Sequence, residues 1–241
     1  MNSYVSAHSR ARVTKALLIA GAIVSAASML VSVLELLFPP ISDDDQLSDN
    51  LGGYAIALLQ MGLGSLQLLI YVATVVFFLM WLYRSYENLP ALGVPVRSID
   101  YSSGWAVGSF FVPFVNLVVP YRAVKELWRK SAPAAPSFLQ SDNPAASFPL
   151  WWLFWISSNI ADNIYFRVAF RSDISREVIA LISLISDALS ILAAIFAIAV
   201  VPEIDRRQEQ ARKTFGPVQS PRPPPPPPTI FESTPETAAP S

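Results

Sequence analysis

The chain has 241 residues, 53% hydrophobic and 15% charged, whereas an ordinary soluble domain is about 25% charged. This balance, with the apolar residues gathered into long runs, excludes a typical water-soluble globule. The net charge of −1 points to no partner, and the absence of cysteine excludes disulfides, thiolate metal sites and cysteine nucleophiles.

The N-terminal segment, residues 1–13, is polar and carries the single histidine, His8, which reads as a solvated tail residue. One histidine cannot build a histidine metal site or a Ser-His-Asp triad, so no metal or cofactor is expected. The first apolar run spans 16–38, about 34 Å as a helix and long enough to cross a bilayer. It is too long for a cleaved signal peptide. Gly21, Ser25, Ser28 and Ser32 line one face of it, a spacing that lets helices approach closely. Pro39 and Pro40 end it, and the acidic loop 41–50 follows. The second run, 54–83, exceeds what a span needs and ends on Trp81, Tyr83 and Tyr86, residues that favour the headgroup level.

The third run, 104–119, is short and carries Pro113 and Asn116 in its interior. A broken 16-residue run suits a re-entrant or interfacial element better than a span. Over 120–131, Tyr121, Val124, Leu127 and Trp128 share one helical face and Arg122, Lys125 and Arg129 the other. We read this amphipathic helix as lying on the membrane surface, with a helix packed on protein as the alternative. After a Pro/Ala/Ser linker come spans at 150–170 and 178–201, the latter closed by Pro202. The tail, 214–241, is proline-rich and expected to be disordered.

Charge decides whether the third run crosses. If it does not, and the N-terminus is inside, 14 of the 17 basic residues are cytoplasmic. Only Arg167, Arg171 and Arg176 then lie outside, and Arg167 would pair with an acid below the surface. If the run does cross, eight are inside and nine outside. The positive-inside rule favours the first arrangement. The expected fold is therefore all-α: a four-helix membrane bundle over 14–213, both termini cytoplasmic, with a cytoplasmic re-entrant segment and amphipathic helix.

Polar groups inside the spans are the chemical candidates, because a charge at mid-bilayer costs roughly 2.5–3.5 kcal/mol on insertion scales. Asn159, Asp162 and Asn163 share a face. Asp162 lies about 20 Å and Asp187 about 22 Å from the cytoplasmic side, with Gln67 at about 26 Å. They could line a cation or proton path. The alternative is structural, with Asp162 paired to Arg167 or Arg171 and the asparagines bonding between helices. No nucleophile–base pair, phosphate loop or nucleic-acid signature is present, so neither an enzyme nor a nucleic-acid partner is expected.

Three blocks, WLYRSYENLPALG at 81–93, SGWAVGSFFVPFVNLVVPY at 103–121 and KELWRKS at 125–131, resemble the bacterial multi-pass membrane family called domain of unknown function 4328. The surrounding helices extend the likeness over about residues 14–213. Where that family commonly has proline before the GW pair and a basic or aromatic residue before PY, this chain has Ser103 and Val119. The resemblance implies a multi-pass plasma-membrane protein and supplies no catalytic residues. It marks Arg84, Asn88, Gly104, Trp105, Pro113, Asn116, Pro120, Tyr121, Glu126 and Trp128 as motif positions. Asn88 suits a helix end, Gly104 a tight turn into the membrane, and Trp105 an interface anchor. Asn116 would satisfy backbone freed by Pro113, and Arg84 would pair with Glu126.

The function expected from sequence is an interaction module. Its basic residues Arg122, Lys125, Arg129 and Lys130 would meet anionic lipid, and its partner would be a membrane protein or a second copy of the chain. The alternative is a small oligomeric transporter or channel using Asp162 and Asp187. As a check on topology, a cysteine at Ser48 should react with an impermeant maleimide on intact cells, and one at Ser131 should not.

Overall fold

The computed structural model describes residues 4–37, 51–131, 145–171 and 173–215. The acidic loop, most of the linker and the proline-rich tail lie outside the described residues. The described chain is helical: α1 His8–Leu37, α2 Leu51–Glu87, α3 Ser103–Gly108, α4 Val119–Lys130, α5 Ser147–Val168 and α6 Arg176–Phe215. Single 3₁₀ turns at Pro90–Leu92, Val96–Ser98, Ser109–Phe111 and Val115–Leu117 fill the stretches between α2 and α4.

Three helices, α1, α2 and α6, are long and apolar enough to cross a membrane, the architecture of a multi-pass membrane protein. Four were expected. At 22 residues α5 is about 33 Å long, sufficient by length. Asn159, Asp162, Asn163 and Arg167 leave it without an unbroken apolar stretch as long as those of the other three.

Neighbouring helices run antiparallel. On α1 and α2, Gln67 Nε2 donates to Ser25 Oγ (3.1 Å) and Gln60 Nε2 to Ser32 Oγ (3.2 Å). Both residues of α2 and both of α1 are seven apart, so one register holds over two turns. On α1 and α6, contacts run from Ser32–Ser183 at one end to His8–Asp205 at the other. On α5 and α6, Asp162 accepts from Ser186, and Phe154 stacks on Phe196 with ring centroids 5.6 Å apart. Tyr71–Asn159 and the Phe78–Trp151 ring pair join α2 to α5.

Several sequence expectations are corrected. The N-terminal helix begins at His8, inside the segment read as polar tail. His8 is not a bare tail residue: Nδ1 lies 2.6 Å from Asp205 Oδ2, and Arg12 donates to Nε2 at 3.1 Å. An Arg donor at Nε2 leaves Nδ1 as the nitrogen that carries the proton to Asp205. Pro202 does not close the last helix, which runs on to Phe215. Proline removes one backbone donor, and the turns beyond it are rich in helix-forming Glu, Arg and Gln. Glu203–Arg207 (2.8 Å) and Glu209–Arg212 (3.1 Å) brace them.

The dense core lies at one end of the bundle, around Trp81, Leu82, Leu89, Val124, Leu127, Trp128, Phe148, Trp151, Val200 and Ile204. This end is the cap. The middle of the bundle presents large apolar side chains outward, Leu58, Leu68, Leu69 and Ile195 among them. Outward apolar residues are tolerable in lipid and costly in water.

The membrane-surface reading of α4 is corrected as well. Its apolar face is covered by protein: Val124 and Leu127 are fully buried and Trp128 is 4% exposed. The Trp128 ring meets Phe148 of α5 edge-on, and the Arg207 guanidinium of α6 sits 4.0 Å from its centroid. Trp128→Ala should therefore cost about 3–5 kcal/mol even in detergent without a bilayer. A thermal midpoint equal to that of the unaltered protein would show that this face is not packed on protein.

Candidate functional site

The motif positions assemble in the cap. Arg84, Glu87 and Asn88 lie at the C-terminal end of α2, where the aromatic residues that close the apolar run also lie. Glu126 is buried, and its partners are the Tyr86 hydroxyl (3.1 Å), the Asp100 N–H (2.7 Å) and the Lys130 ammonium. Tyr86 also donates to the Ala123 carbonyl at 2.7 Å. The expected Arg84–Glu126 pair is absent among the described residues, and Arg84 Nε is buried without a partner. Lys130 reaches both Glu126 and the Ser98 carbonyl, so this proposed headgroup ligand is engaged inside the protein.

Asn88 does more than end a helix. Its amide clamps the backbone of Val5, accepting from the N–H (3.2 Å) and donating to the carbonyl (2.9 Å). This ties the segment before α1 across the cap. Tyr4 (3.0 Å) and Ser6 (2.9 Å) donate to Glu209 on α6 alongside. Burial, then the neighbouring Glu209 carboxylate, push the Tyr4 phenol above its ordinary range. Gln208, fully buried, donates to the Ser85 carbonyl (2.9 Å) and to Ser131 Oγ (3.2 Å). Sequence reading missed Gln208 and Asp205 because both lie beyond Pro202, where the span was taken to end. Ser131 is fully buried too, so a cysteine there would be silent to a reagent on either side.

The broken segment forms a wedge. Ser102 caps α3, its Oγ accepting from the Trp105 N–H at 3.1 Å. Neither packing nor backbone requires glycine at Gly104, where an added Cβ meets open space. Gly93 is the glycine the backbone does require, at φ 87° after the Pro90–Leu92 turn. After Pro113 the chain turns through Phe114 at φ 62° and ψ −38°, a sparsely populated conformation costing about 1–3 kcal/mol for such a residue. It is the backbone N–H of Asn116, bonded to the Val112 carbonyl at 3.0 Å, that closes the turn; no side-chain hydrogen bond of Asn116 is present among the described residues. Pro120 is buried in the first turn of α4, where a missing N–H costs nothing.

Phe110 anchors the wedge against Phe78, Trp152 and Trp155, and Trp152 Nε1 donates to the Leu117 carbonyl at 2.9 Å. The tip stays uncovered, with Phe111 69% and Phe114 86% exposed, beside exposed Trp105, Leu117 and Val118. Arg122 and Arg129 on α4 are exposed nearby, and Tyr121 and Lys125 are half-buried.

The other candidate is a polar layer inside the bundle. The hydroxyls of Ser25 and Ser28 on α1 and of Ser183 lie beside Asp187 on α6. Asp162 takes a hydrogen bond from Ser186, the residue before Asp187, which brings the two carboxylates to the same level. The alternative pairing of Asp162 with Arg167 or Arg171 is corrected: Arg167 donates to Asn163 (2.8 Å), and Arg171 pairs with Asp173 (2.6 Å). Asn159 accepts from Tyr71 (3.3 Å) and donates to the Trp155 carbonyl (2.7 Å). The serine stripe on α1 thus serves two ends, close packing and a polar lining beside Asp187. The small residues were legible in sequence, but their polar role needed the facing helix. Among the described residues no group of three or more His, Cys, Asp or Glu side chains stands ready to hold a metal.

Comparison with curated proteins gives no match, and neither does comparison with solved structures. A family profile described as domain of unknown function, DUF4328, matches residues 49–206, from just before α2 through the Pro202 turn of α6. That is a narrower stretch than the 14–213 expected from the resemblance, and it leaves out α1 and the clamped N-terminal segment. It contains the whole wedge, α4 and both aspartates of the polar layer, and on that match the chain belongs to the DUF4328 family.

Proposed function

We propose that this protein is a non-catalytic four-span membrane module, with both termini in the cytoplasm, whose cap engages anionic lipid at the cytoplasmic leaflet. The observation that carries the reading is the wedge. Phe111 and Phe114 project uncovered from a rigid base, and Arg122 begins one turn later, its N–H bonded to the Val118 carbonyl at 3.2 Å. Sinking a Phe side chain into acyl chains gains about 1.5–3 kcal/mol. A basic side chain near an anionic surface adds about 1 kcal/mol. The aromatic tip would supply most of the depth, and Arg122 and Arg129 the preference for charge. The count of basic residues supports the same orientation, since it puts the cap in the cytoplasm. As the fourth span, α5 would complete the bundle against α6.

Two basic side chains are together worth about 2 kcal/mol, or roughly 30-fold in affinity. Purified protein in neutral detergent should thus bind fluorescent phosphatidylglycerol more tightly than phosphatidylcholine by about that factor. Arg122→Gln with Arg129→Gln should remove most of the preference. Equal binding of both lipids by the unaltered protein would contradict the reading and turn attention to a protein partner for the cap.

Orientation has a separate check. Val96, 71% exposed in the cap, replaces Ser131 as the inside probe. A cysteine at Val96 should label only after the cells are opened, and one at Ser48 before. The reverse order would invert the topology.

A second reading, a small oligomeric transporter or channel, draws on Asp162 and Asp187 sharing one level. Flux in proteoliposomes unchanged by Asp162→Asn and Asp187→Asn would remove it.

A further inference from the structure

Two oxygens in the polar layer are buried with no hydrogen-bond partner: Asp187 Oδ2 on α6 and Gln67 Oε1 on α2. They belong to residues that meet at one serine. Gln67 donates to Ser25 at 3.1 Å, and the Ser25 hydroxyl also lies beside the Asp187 carboxylate. Ser28 and Ser183 bring two further hydroxyls to that carboxylate. Each of these hydroxyls is neutral, and the charged group beside Asp187 is a second carboxylate, Asp162. The nearest arginines in sequence on α5 and the following turn are committed elsewhere, Arg167 to Asn163 and Arg171 to Asp173.

A carboxylate among neutral groups at this depth is expensive unless something positive joins it. Hydroxyls orient toward it but do not cancel its charge. A water molecule could satisfy Gln67 Oε1, yet it would leave Asp187 uncompensated. Both open atoms are acceptors, so a further side-chain acceptor gains nothing, whereas a hard cation satisfies both at once. Asp162 is engaged by Ser186, which leaves one carboxylate facing the open position. Only one carboxylate oxygen is open, and divalent cations are held by several carboxylate ligands, so the open position suits a singly charged ion.

We infer that the polar layer binds a monovalent cation of sodium type, held by Asp187 Oδ2 and Gln67 Oε1 with the serine hydroxyls completing an all-oxygen shell. The site is independent of lipid docking at the cap. It lies between α1, α2 and α6, so a bound ion would lock those three helices together.

The test is thermal unfolding of the full chain in neutral detergent, with sodium chloride exchanged for choline chloride at constant ionic strength. Above the dissociation constant, each tenfold rise in sodium should lift the midpoint by roughly 3–6 °C. Asp187→Asn should flatten that response. Ser28→Ala and Gln67→Ala keep the charge and should move the response to about tenfold higher sodium, which keeps the test decisive even where Asp187→Asn fails to fold. A midpoint equal in sodium and choline would overturn the proposal. So would a sodium response that survives Asp187→Asn, or a midpoint that follows pH and ignores sodium, the mark of a proton in place of the ion.

Discussion

The cap holds together because α4 turns its apolar face inward. Val124, Leu127 and Trp128 pack on side chains from α2, α5 and α6, and burying three such groups is worth about 5–9 kcal/mol before entropy is counted. The rest of the cap follows from that contact. With α4 against the bundle, Glu126 points at Tyr86 and Asp100, and Lys130 reaches back to Glu126 and Ser98. Glu126 and Tyr86 are buried and Lys130 nearly so, and each would be costly if α4 moved away and left it unpaired. The wedge is then strung between α3 and a fixed α4, with Phe110 and Trp152 pinning its base.

The same contact explains why the motif positions resemble a binding surface in sequence and a scaffold in structure. Asn88, Pro120, Glu126 and Trp128 are buried. Of the motif positions Gly104, Trp105 and Pro113 stay exposed, beside Phe111, Phe114, Leu117, Val118, Arg122 and Arg129. The polar layer sits in the body of the bundle, away from this cap. One sequence thus carries two separate polar problems, met at the cap by side-chain pairing and in the bundle by serine hydroxyls that leave one oxygen of Asp187 open.

Much of the architecture was legible from periodicity and run length. The spans at 54–83 and 178–201 fall inside α2 and α6, the run 16–38 follows α1 as far as its end at Leu37, and the broken run 104–119 is broken in the structure. The antiparallel pairing of α5 and α6, and the shared level of Asp162 and Asp187, followed from helical rise and a short turn. Other features were not legible, for definite physical reasons. An apolar stripe on α4 has the same spacing whether it meets lipid or protein, so only its neighbours decide. The partner of His8 is Asp205, 197 residues away, beyond any local pattern. Pro202 obeys a local rule that ends helices, and the salt-bridged turns after it overrode that rule. Arg84 and Glu126 were paired by opposite charge, but Lys130 is four residues from Glu126 on the same helix and reaches it first.

The central claim is that the wedge tip, and not the apolar face of α4, is the part of the cap that enters the lipid. Spin labels at single cysteines in the reconstituted protein test it most directly, with oxygen and a water-soluble nickel chelate as competing relaxers. The account predicts oxygen-dominated relaxation at position 114, chelate-dominated relaxation at position 129, and weak relaxation by either at position 127. Strong oxygen relaxation at position 127, with position 114 open to the chelate, would contradict it.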